Sequence, residues 1–209
     1  MNAAARNAKR LYEDAETLLA AERFPTACSV AVLSIEEAGK MSILRELSCA
    51  TNNARQNAAW RRYIDHRAKN AQWIIMELAG KGARTLDDLA KIFDVQSGHT
   101  DILDVIKQLG FYSDCYGQAH WSEPFEVIDE QLARSIVVVA KVLVPKHETS
   151  EREIELWIDN VGQYWGTPAM RAGAIAFEEA MIKEGLGRHS IDEVKAFFWP
   201  WLALTSSPN

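Results

Sequence analysis

Residues 27–35 read ACSVAVLSI, a run in which every side chain is apolar or small. A helix with this composition has no side suited to water, and it is typical of a segment that other elements surround. The run lies inside a predicted helix over about residues 26–50, and Pro25 suits the first turn of that helix. We therefore place this helix in the middle of a helical bundle.

The segments on both sides of this central helix are predicted to be helical too. Residues 2–23 have apolar side chains at helical spacing, and residues 54–78 carry an apolar stripe along one face. A further helix is predicted from Asp129 to Pro145. Residues 111–127, FYSDCYGQAHWSEPFEV, are rich in aromatic residues and turn formers and are predicted to be extended or a loop. Because no segment has a convincing strand pattern, the predicted fold class is all-α.

The domain organisation follows from one short junction, KHETSE at residues 146–151. We predict an antiparallel helical bundle over residues 1–147 and a C-terminal extension of three more helices over residues 148–209, packed on the bundle. The chain has 209 residues, of which 48% are hydrophobic, so it is long enough to bury a sizeable core.

The chain is acidic, but its charge is unevenly distributed. Its formal net charge is −6, which argues against a protein that coats nucleic acid nonspecifically. Residues 51–84 contain seven arginines and lysines against two acidic residues, a local sum of +5, so the remainder carries −11. This local basic field can collect an anionic ligand even on an acidic protein.

Other features of the sequence argue against several classes of protein. No apolar run approaches the roughly 18 to 20 residues that span a bilayer, and the N-terminal segment lacks the layout of a secretory signal. The cysteines are widely spaced without a CxxC pair, as expected of reduced thiols. The histidines form no HExxH motif and no facing Glu/His pairs, so neither a metal nor another cofactor is expected. We expect a cytoplasmic protein without a membrane partner.

The strongest cluster of basic residues is RRYIDHRAK at residues 61–69. In a continuous helix, Arg62 and His66 share a face and Lys69 lies one turn further along it, whereas Arg61 projects off that line. Arginine matches phosphate oxygens and histidine exchanges a proton near neutrality, which together suffice for metal-free cleavage of RNA. The alternative is a solvated basic face.

A second charged cluster, SIEEAGK at residues 34–40, lies in the most apolar helix. Glu36 and Glu37 are four and three residues before Lys40, so an intrahelical ion pair is available, and an ordinary exposed pair is the simplest interpretation. However, the neighbouring residues leave this helix little solvent face, and a buried carboxylate requires a cationic partner. We therefore expect one of the two glutamates to orient the arginine or the histidine of residues 61–69.

These motifs carry a resemblance to a known family. EEAGK at residues 36–40, WRRYIDHRAK at residues 60–69, and GFYSDCYG followed by HWSEP within residues 110–124 resemble, in order and spacing, the AbiV family of bacterial abortive-infection proteins. This family lies within the HEPN superfamily of small helical bundles. The resemblance covers about residues 5–145.

The resemblance assigns motif positions to individual residues of this chain. Glu37 and Lys40 match the family's EExGK element, and His66 and Lys69 match its HxxK element. Tyr112 and Asp114 match a Tyr-x-Asp pattern that could line the same cleft, although a tyrosine and an aspartate in a loop are also common as structural residues.

The resemblance also implies a fold and a function. It implies an antiparallel HEPN-like bundle that commonly dimerises, and a phage-defence role in which RNA or translation is attacked or blocked. HEPN ribonucleases use an arginine followed after four to six residues by a histidine, which Arg61 and His66 satisfy, whereas helical geometry favours Arg62. The expected function is thus a metal-independent endoribonuclease toxin, acting on RNA as a homodimer. The alternative is a non-catalytic bundle that senses a phage protein or blocks translation by binding a protein of the translation machinery.

Overall fold

The computed structural model describes residues 1–94, 98–116 and 120–198. The fold is all-α, as predicted, and its helices are as follows: α1 (Asn2–Ala20), α2 (Phe24–Ser48), α3 (Asn53–Ile64), α4 (His66–Lys69), α5 (Ile75–Gly80), α6 (His99–Phe111), α7 (Pro124–Val127), α8 (Glu130–Leu143), α9 (Glu151–Val161), α10 (Met170–Lys183) and α11 (Ile191–Phe198). Short 3₁₀ turns cover Ala71–Ile74, Ala90–Phe93 and Gly162–Tyr164. No helix within the described residues combines the length and hydropathy needed to cross a bilayer.

The central position predicted for residues 27–35 is confirmed. Helix α2 packs against α1, α8, α6, α3 and α4, and it contributes Val32 and Ile35 to a core that also contains Leu103 and Ile128. The two serines of the run are buried and hydrogen-bonded: the Ser34 hydroxyl donates to the carbonyl of Ala8 at 2.7 Å, and the Ser29 hydroxyl donates to that of Lys107 at 3.1 Å. Small side chains therefore let neighbouring helices approach α2 closely on several sides.

The predicted single helix over residues 54–78 is wrong. The chain leaves the helical conformation at Asp65, where φ is −79° and ψ is 121°. The Asp65 carboxylate accepts a hydrogen bond from the backbone N–H of Arg67 at 2.9 Å and caps α4, which starts at His66. An aspartate stabilises a helix start better than a helix interior, because its short side chain competes for nearby backbone donors.

Residues 111–127 contain a short β hairpin. Strands β1 (Asp114–Tyr116) and β2 (His120–Ser122) pair antiparallel, with Asp114 opposite Ser122. The two strands are extended, one of the two conformations expected for this segment, whereas the expectation is wrong for Pro124–Val127, which form α7. Strands of three residues are too short for their alternating pattern to stand out in a sequence.

The C-terminal segments form helices α9, α10 and α11, as predicted. Helices α9 and α10 form a second, smaller hydrophobic cluster that includes Leu156, Phe177 and Met181. This cluster meets the bundle at α2, where the Arg45 guanidinium donates to Glu153 at 2.8 Å and lies 5.2 Å from the centre of the Trp157 ring.

Candidate functional site

The close approach of α4 to α2 determines where His66 lies. A side-chain Cβ at Gly39 would lie 1.9 Å from the backbone carbonyl oxygen of Lys69, so only glycine fits at this crossing. His66 begins α4 one turn before Lys69, and Glu36 lies one turn before Gly39 on α2. The glycine of the EEAGK motif thus brings the two charged motifs into contact.

His66 and Glu36 form the central pair of the site. The Nδ1 atom of His66 lies 2.6 Å from Oε2 of Glu36. The Glu36 side chain is only 5% exposed, whereas that of His66 is 56% exposed. Because a carboxylate only accepts hydrogen bonds, the contact favours the tautomer with the proton on Nδ1 and leaves Nε2 as the acceptor.

Two buried lysines surround the Glu36 carboxylate. The Lys107 ammonium lies 2.7 Å from Oε1 of Glu36 and 2.8 Å from Oδ1 of Asp104, and the Lys69 ammonium lies 3.9 Å from Oε2 of Glu36. The two carboxylates, of Glu36 and Asp104, are therefore matched in charge by the two lysine ammoniums. A carboxylate buried away from water requires cationic partners of this kind.

The pKa values of the two lysines are shifted in opposite directions by their surroundings. Burial lowers the pKa of Lys69, although the Glu36 carboxylate acts in the opposite direction. Burial also acts to lower the pKa of Lys107, but its hydrogen bonds to Asp104 and Glu36 act against burial, and the net pKa is raised. Lys107 is therefore the better anchored of the two cations.

Glu37 lies apart from the histidine. It accepts a hydrogen bond from Lys40 at 2.5 Å, and the Lys40 ammonium lies 5.3 Å from the centre of the Tyr63 ring. The intrahelical pair expected in SIEEAGK is thus present through Glu37, while Glu36 makes the expected contact with the basic segment.

The two candidate arginines of α3 have different surroundings. Arg62 forms an ion pair with Glu46 of α2. Arg61 is exposed, and its Nε donates to the carbonyl of Asn57 within α3 at 3.4 Å. The expectation that Arg62, His66 and Lys69 follow one helical line is wrong, because the chain breaks at Asp65.

Tyr112, the tyrosine of the Tyr-x-Asp pattern, has no described contact with Glu36 or His66. Tyr112 is 60% exposed and contacts the ring of Phe111 edge-on, with 6.3 Å between centroids. Asp114 lies in β1, but its side chain is outside what the structure describes. No hydrogen bond between Tyr112 and Glu36 or His66 is present among the described residues.

Two residues of the site, Asp104 and Lys107 of α6, were missed in the sequence. The signal that could have found them is their spacing of three residues within DILDVIKQL, where a lysine interrupts a mostly apolar helix. A lysine on a buried helix face needs a carboxylate partner, and one of the two glutamates of EEAGK is expected to need a cation. Their pairing, however, joins positions 71 residues apart.

One set of side chains within the described ranges is close enough to surround a cation. Glu36, His66 and Asp104 each bring an oxygen or nitrogen atom within 4.8 Å of the others. The Lys107 ammonium already contacts both carboxylates of this set. A metal ion would have to displace this ammonium, so the residues as they stand do not favour a metal.

The arrangement can move a proton at an exposed nitrogen. A buried carboxylate that orients an imidazole makes the opposite ring nitrogen a base and, once protonated, an acid. The arginines and lysines around His66 would attract a phosphate to the same surface.

Comparison with known proteins agrees with the motifs. The family model HEPN_AbiV, described as AbiV, matches residues 1–145, which is more than half of the chain. No curated protein and no solved structure matches the chain. The chain therefore belongs to the AbiV family of HEPN proteins, a membership that indicates a role in abortive infection, a form of phage defence.

Proposed function

We propose that this AbiV-family protein is a metal-independent endoribonuclease that acts on RNA in the cytoplasm of the infected cell. The observation that carries the proposal is the 2.6 Å contact between the buried Glu36 carboxylate and the largely exposed His66 ring. A purely structural histidine has no need of a buried carboxylate on one edge and solvent on the other. A general base needs both, because it must be oriented and must reach its substrate.

The reaction would be an internal attack within the RNA chain. Nε2 of His66 takes the proton of a ribose 2′-hydroxyl, and the 2′-oxygen forms a bond to the adjacent phosphorus. The bond from phosphorus to the 5′-oxygen of the next nucleotide breaks, and that oxygen takes up a proton from an acid. The products are a 2′,3′-cyclic phosphate end and a 5′-hydroxyl end, without a net change in protons.

Arg61 is the better candidate to contact the scissile phosphate. It matches the spacing of HEPN ribonucleases to His66, and it is exposed. Arg62 is half exposed but paired with Glu46, so a phosphate would have to compete with a carboxylate for it. A free guanidinium can donate two parallel hydrogen bonds to the phosphate as charge develops in the transition state.

We also propose that the protein acts as a homodimer. Cleavage needs both a base and an acid, and among the side chains that the structure describes a single chain brings one exposed histidine, His66, to this site. Helix α3 exposes Trp60 at 45% and Ile64 at 73% beside the site, and large exposed apolar side chains are common at interfaces. A dimer through this face would bring two His66 rings near each other.

The test is digestion of total RNA in the presence of a chelator, with the fragment ends identified. Wild type should produce 2′,3′-cyclic phosphate or 3′-phosphate ends, and His66→Ala should produce none. His147→Ala, which removes an exposed histidine outside the site, is the matched control and should remain active. Fragments of the same pattern from His66→Ala would remove the catalytic role.

A second candidate function is binding of a phage protein or a protein of the translation machinery without cleavage. The observation in its favour is a group of exposed aromatic side chains on and beside the β hairpin: Tyr112, Trp121 and Phe125, each at least 60% exposed. Aromatic residues of this kind often anchor protein interfaces. If binding is the function, Trp121→Ser with Phe125→Ser abolishes phage resistance, whereas His66→Ala retains it.

A further inference from the structure

Lys107 is a buried ammonium held between two carboxylates. Its side chain is 7% exposed, and its Nζ lies 2.7 Å from Glu36 and 2.8 Å from Asp104. The second lysine, Lys69, is 3.9 Å from Glu36, which is too far for a hydrogen bond. Lys107 is therefore the cation that makes direct hydrogen bonds to the carboxylate holding His66.

The packing of α6 on α2 keeps this ammonium in place. The Ser29 hydroxyl donates to the Lys107 carbonyl at 3.1 Å. At Gly110, one turn further along α6, a Cβ would lie 2.2 Å from the Ser29 Oγ and 2.7 Å from the carbonyl oxygen of Pro25. Because the two helices touch so closely, the Lys107 backbone has little freedom relative to Glu36.

The Lys107 ammonium also lies where three side chains able to ligate a metal converge. Glu36, His66 and Asp104 bring two carboxylate oxygens and one imidazole nitrogen within 4.8 Å of one another. This is a donor set suited to zinc or manganese. The ammonium hydrogen-bonds to both carboxylates and supplies the positive charge between them.

We propose that Lys107 is the fixed cation of the His66 site: it holds the Glu36 carboxylate against Nδ1 of His66 and excludes a divalent metal from Glu36, His66 and Asp104. In this role Lys107 is a positioning residue that acts through Glu36. The part that concerns catalysis rests on the proposed ribonuclease function. The part that concerns metal exclusion rests on geometry alone.

Removal of the ammonium has two expected consequences. The Glu36 carboxylate loses its closest partner and is held less firmly, so the His66 ring is oriented less well. The space left by a shortened side chain is open to a metal ion, which can supply positive charge to Glu36 and Asp104 in place of the ammonium. Lys107→Ala makes this space, whereas Lys107→Met removes the charge but keeps most of the volume.

The first measurement is titration of Zn²⁺ into ¹⁵N-histidine-labelled protein, followed by long-range ¹⁵N–¹H spectra of the imidazoles. We expect the His66 signals of wild type to show a proton on Nδ1 and to be unaffected by equimolar Zn²⁺. In Lys107→Ala, Zn²⁺ should shift the His66 signals and bind at least about tenfold more tightly than in wild type. The double variant Lys107→Ala with His66→Ala is the matched control, and it should bind Zn²⁺ no more tightly than wild type.

The second measurement is RNA cleavage by Lys107→Met and Lys107→Arg under chelation. We expect kcat to fall about tenfold or more in Lys107→Met with KM little changed, and Lys107→Arg to recover part of it. Circular dichroism and urea unfolding identify a variant that fails to fold, and in that case Lys107→Arg alone is compared with wild type.

The outcomes separate this inference from the proposed function. If wild type cleaves no RNA, the ribonuclease proposal fails, while the His66 spectra and Zn²⁺ binding still test Lys107. Zn²⁺ binding at His66 in wild type as tight as in Lys107→Ala would overturn metal exclusion. Unchanged His66 tautomer and unchanged kcat in a folded Lys107→Met would overturn the positioning role.

Discussion

Nδ1 of His66 lies 2.6 Å from Oε2 of Glu36, although the two residues are 30 positions apart in the chain. The carboxylate is buried and the ring is largely exposed, so one edge of the imidazole is fixed while the other faces water. The pair joins the two charged motifs of the sequence into one site. Substitutions of Glu36 and of His66 can separate the contribution of the pair to activity from its contribution to folding.

Glu36→Gln should keep the shape of the pair and remove its charge. The neutral amide orients the ring less strongly and cannot stabilise a protonated imidazole. We therefore expect RNA cleavage to fall about tenfold to a hundredfold, a smaller loss than in His66→Ala. Steady-state cleavage rates measure the effect. Glu130→Gln, at an exposed glutamate paired with Arg134, is the control and should be fully active. Full activity in Glu36→Gln would show that the carboxylate does not assist His66.

Arg61→Ala should mainly lower RNA cleavage, whereas Arg62→Ala should mainly lower stability. Arg61 is the proposed phosphate contact, so Arg61→Ala should lower cleavage about a hundredfold. Because Arg61 has no described partner outside its own helix, the free energy of unfolding should change by less than about 0.5 kcal/mol. Arg62→Ala leaves the Glu46 carboxylate, which is 13% exposed, without its cation and should cost about 1–2 kcal/mol.

Urea unfolding and cleavage assays on the two arginine variants give the comparison. Adding Glu46→Gln to Arg62→Ala should restore part of the lost stability, because the uncompensated charge is removed. If Arg62→Ala with Glu46→Gln is stable but inactive while Arg61→Ala is active, Arg62 is the phosphate-binding residue instead.

Gly39→Ala should destabilise the protein and displace His66 from Glu36. The new Cβ would lie 1.9 Å from the backbone oxygen of Lys69, and backbone atoms cannot move aside as a flexible side chain can. We expect a loss of about 3 kcal/mol in the free energy of unfolding, measured in urea. Gly80→Ala, at the end of α5 where the added Cβ meets no other part of the structure within 4 Å, is the matched control and should change stability little. Equal stability of the two variants would mean that α4 does not pack closely against α2 at Gly39.

Arg45→Ala should weaken the contact between the C-terminal helices and the bundle. Glu153 is 6% exposed and has two cationic partners, Arg45 at 2.8 Å and Arg188 at 3.5 Å. Loss of the closer partner should cost about 2 kcal/mol, because Arg188 remains and Arg45 is itself partly exposed. Arg188→Ala should cost less than about 1 kcal/mol. Tryptophan fluorescence during urea unfolding follows both, and a larger effect of Arg188→Ala would reverse this ranking.

Cys28 should be unreactive in the folded protein. Burial raises the pKa of the Cys28 thiol to about 12, so the thiolate fraction at pH 8 is about 10⁻⁴. Burial also raises the pKa of Cys49. In a Cys115→Ser variant, a disulfide reagent should therefore modify these two thiols slowly until urea is added. Rapid modification of Cys28 in the native state would show that α2 opens readily.

The raised pKa of Cys28 should also make the stability of the protein depend on pH in the alkaline range. A raised pKa in the folded state means that the neutral thiol is favoured by folding. The contribution of Cys28 to stability is therefore fully present below its ordinary value of 9.0, and it is lost as the pH rises from 9.0 toward about 12. Cys28→Ala should remove this part of the pH dependence, as urea unfolding at pH 8 and pH 11 would measure.

Most of the helical architecture could be predicted from local patterns. The apolar run at residues 27–35 was sufficient to identify α2, because burial on all sides leaves a strong local signal, and the helix predicted from Asp129 to Pro145 is α8. The break at Asp65 was missed, since residues 54–78 have a continuous apolar stripe and the capping hydrogen bond of one aspartate outweighs it. The β hairpin was too short to identify from sequence.

The sequence by itself determined that EEAGK lies in an apolar helix, and it predicted that one of its glutamates contacts the arginine or the histidine of RRYIDHRAK, because a buried carboxylate needs a cation. Only the tertiary structure decided which atoms meet. The break at Asp65 turns His66 toward Glu36 and separates it from the line of Arg62, and α6 brings Lys107 from far along the chain to the other carboxylate oxygen. Local spacing cannot specify such contacts, because they depend on how closely α4 and α6 pack on α2 at two glycines, Gly39 and Gly110.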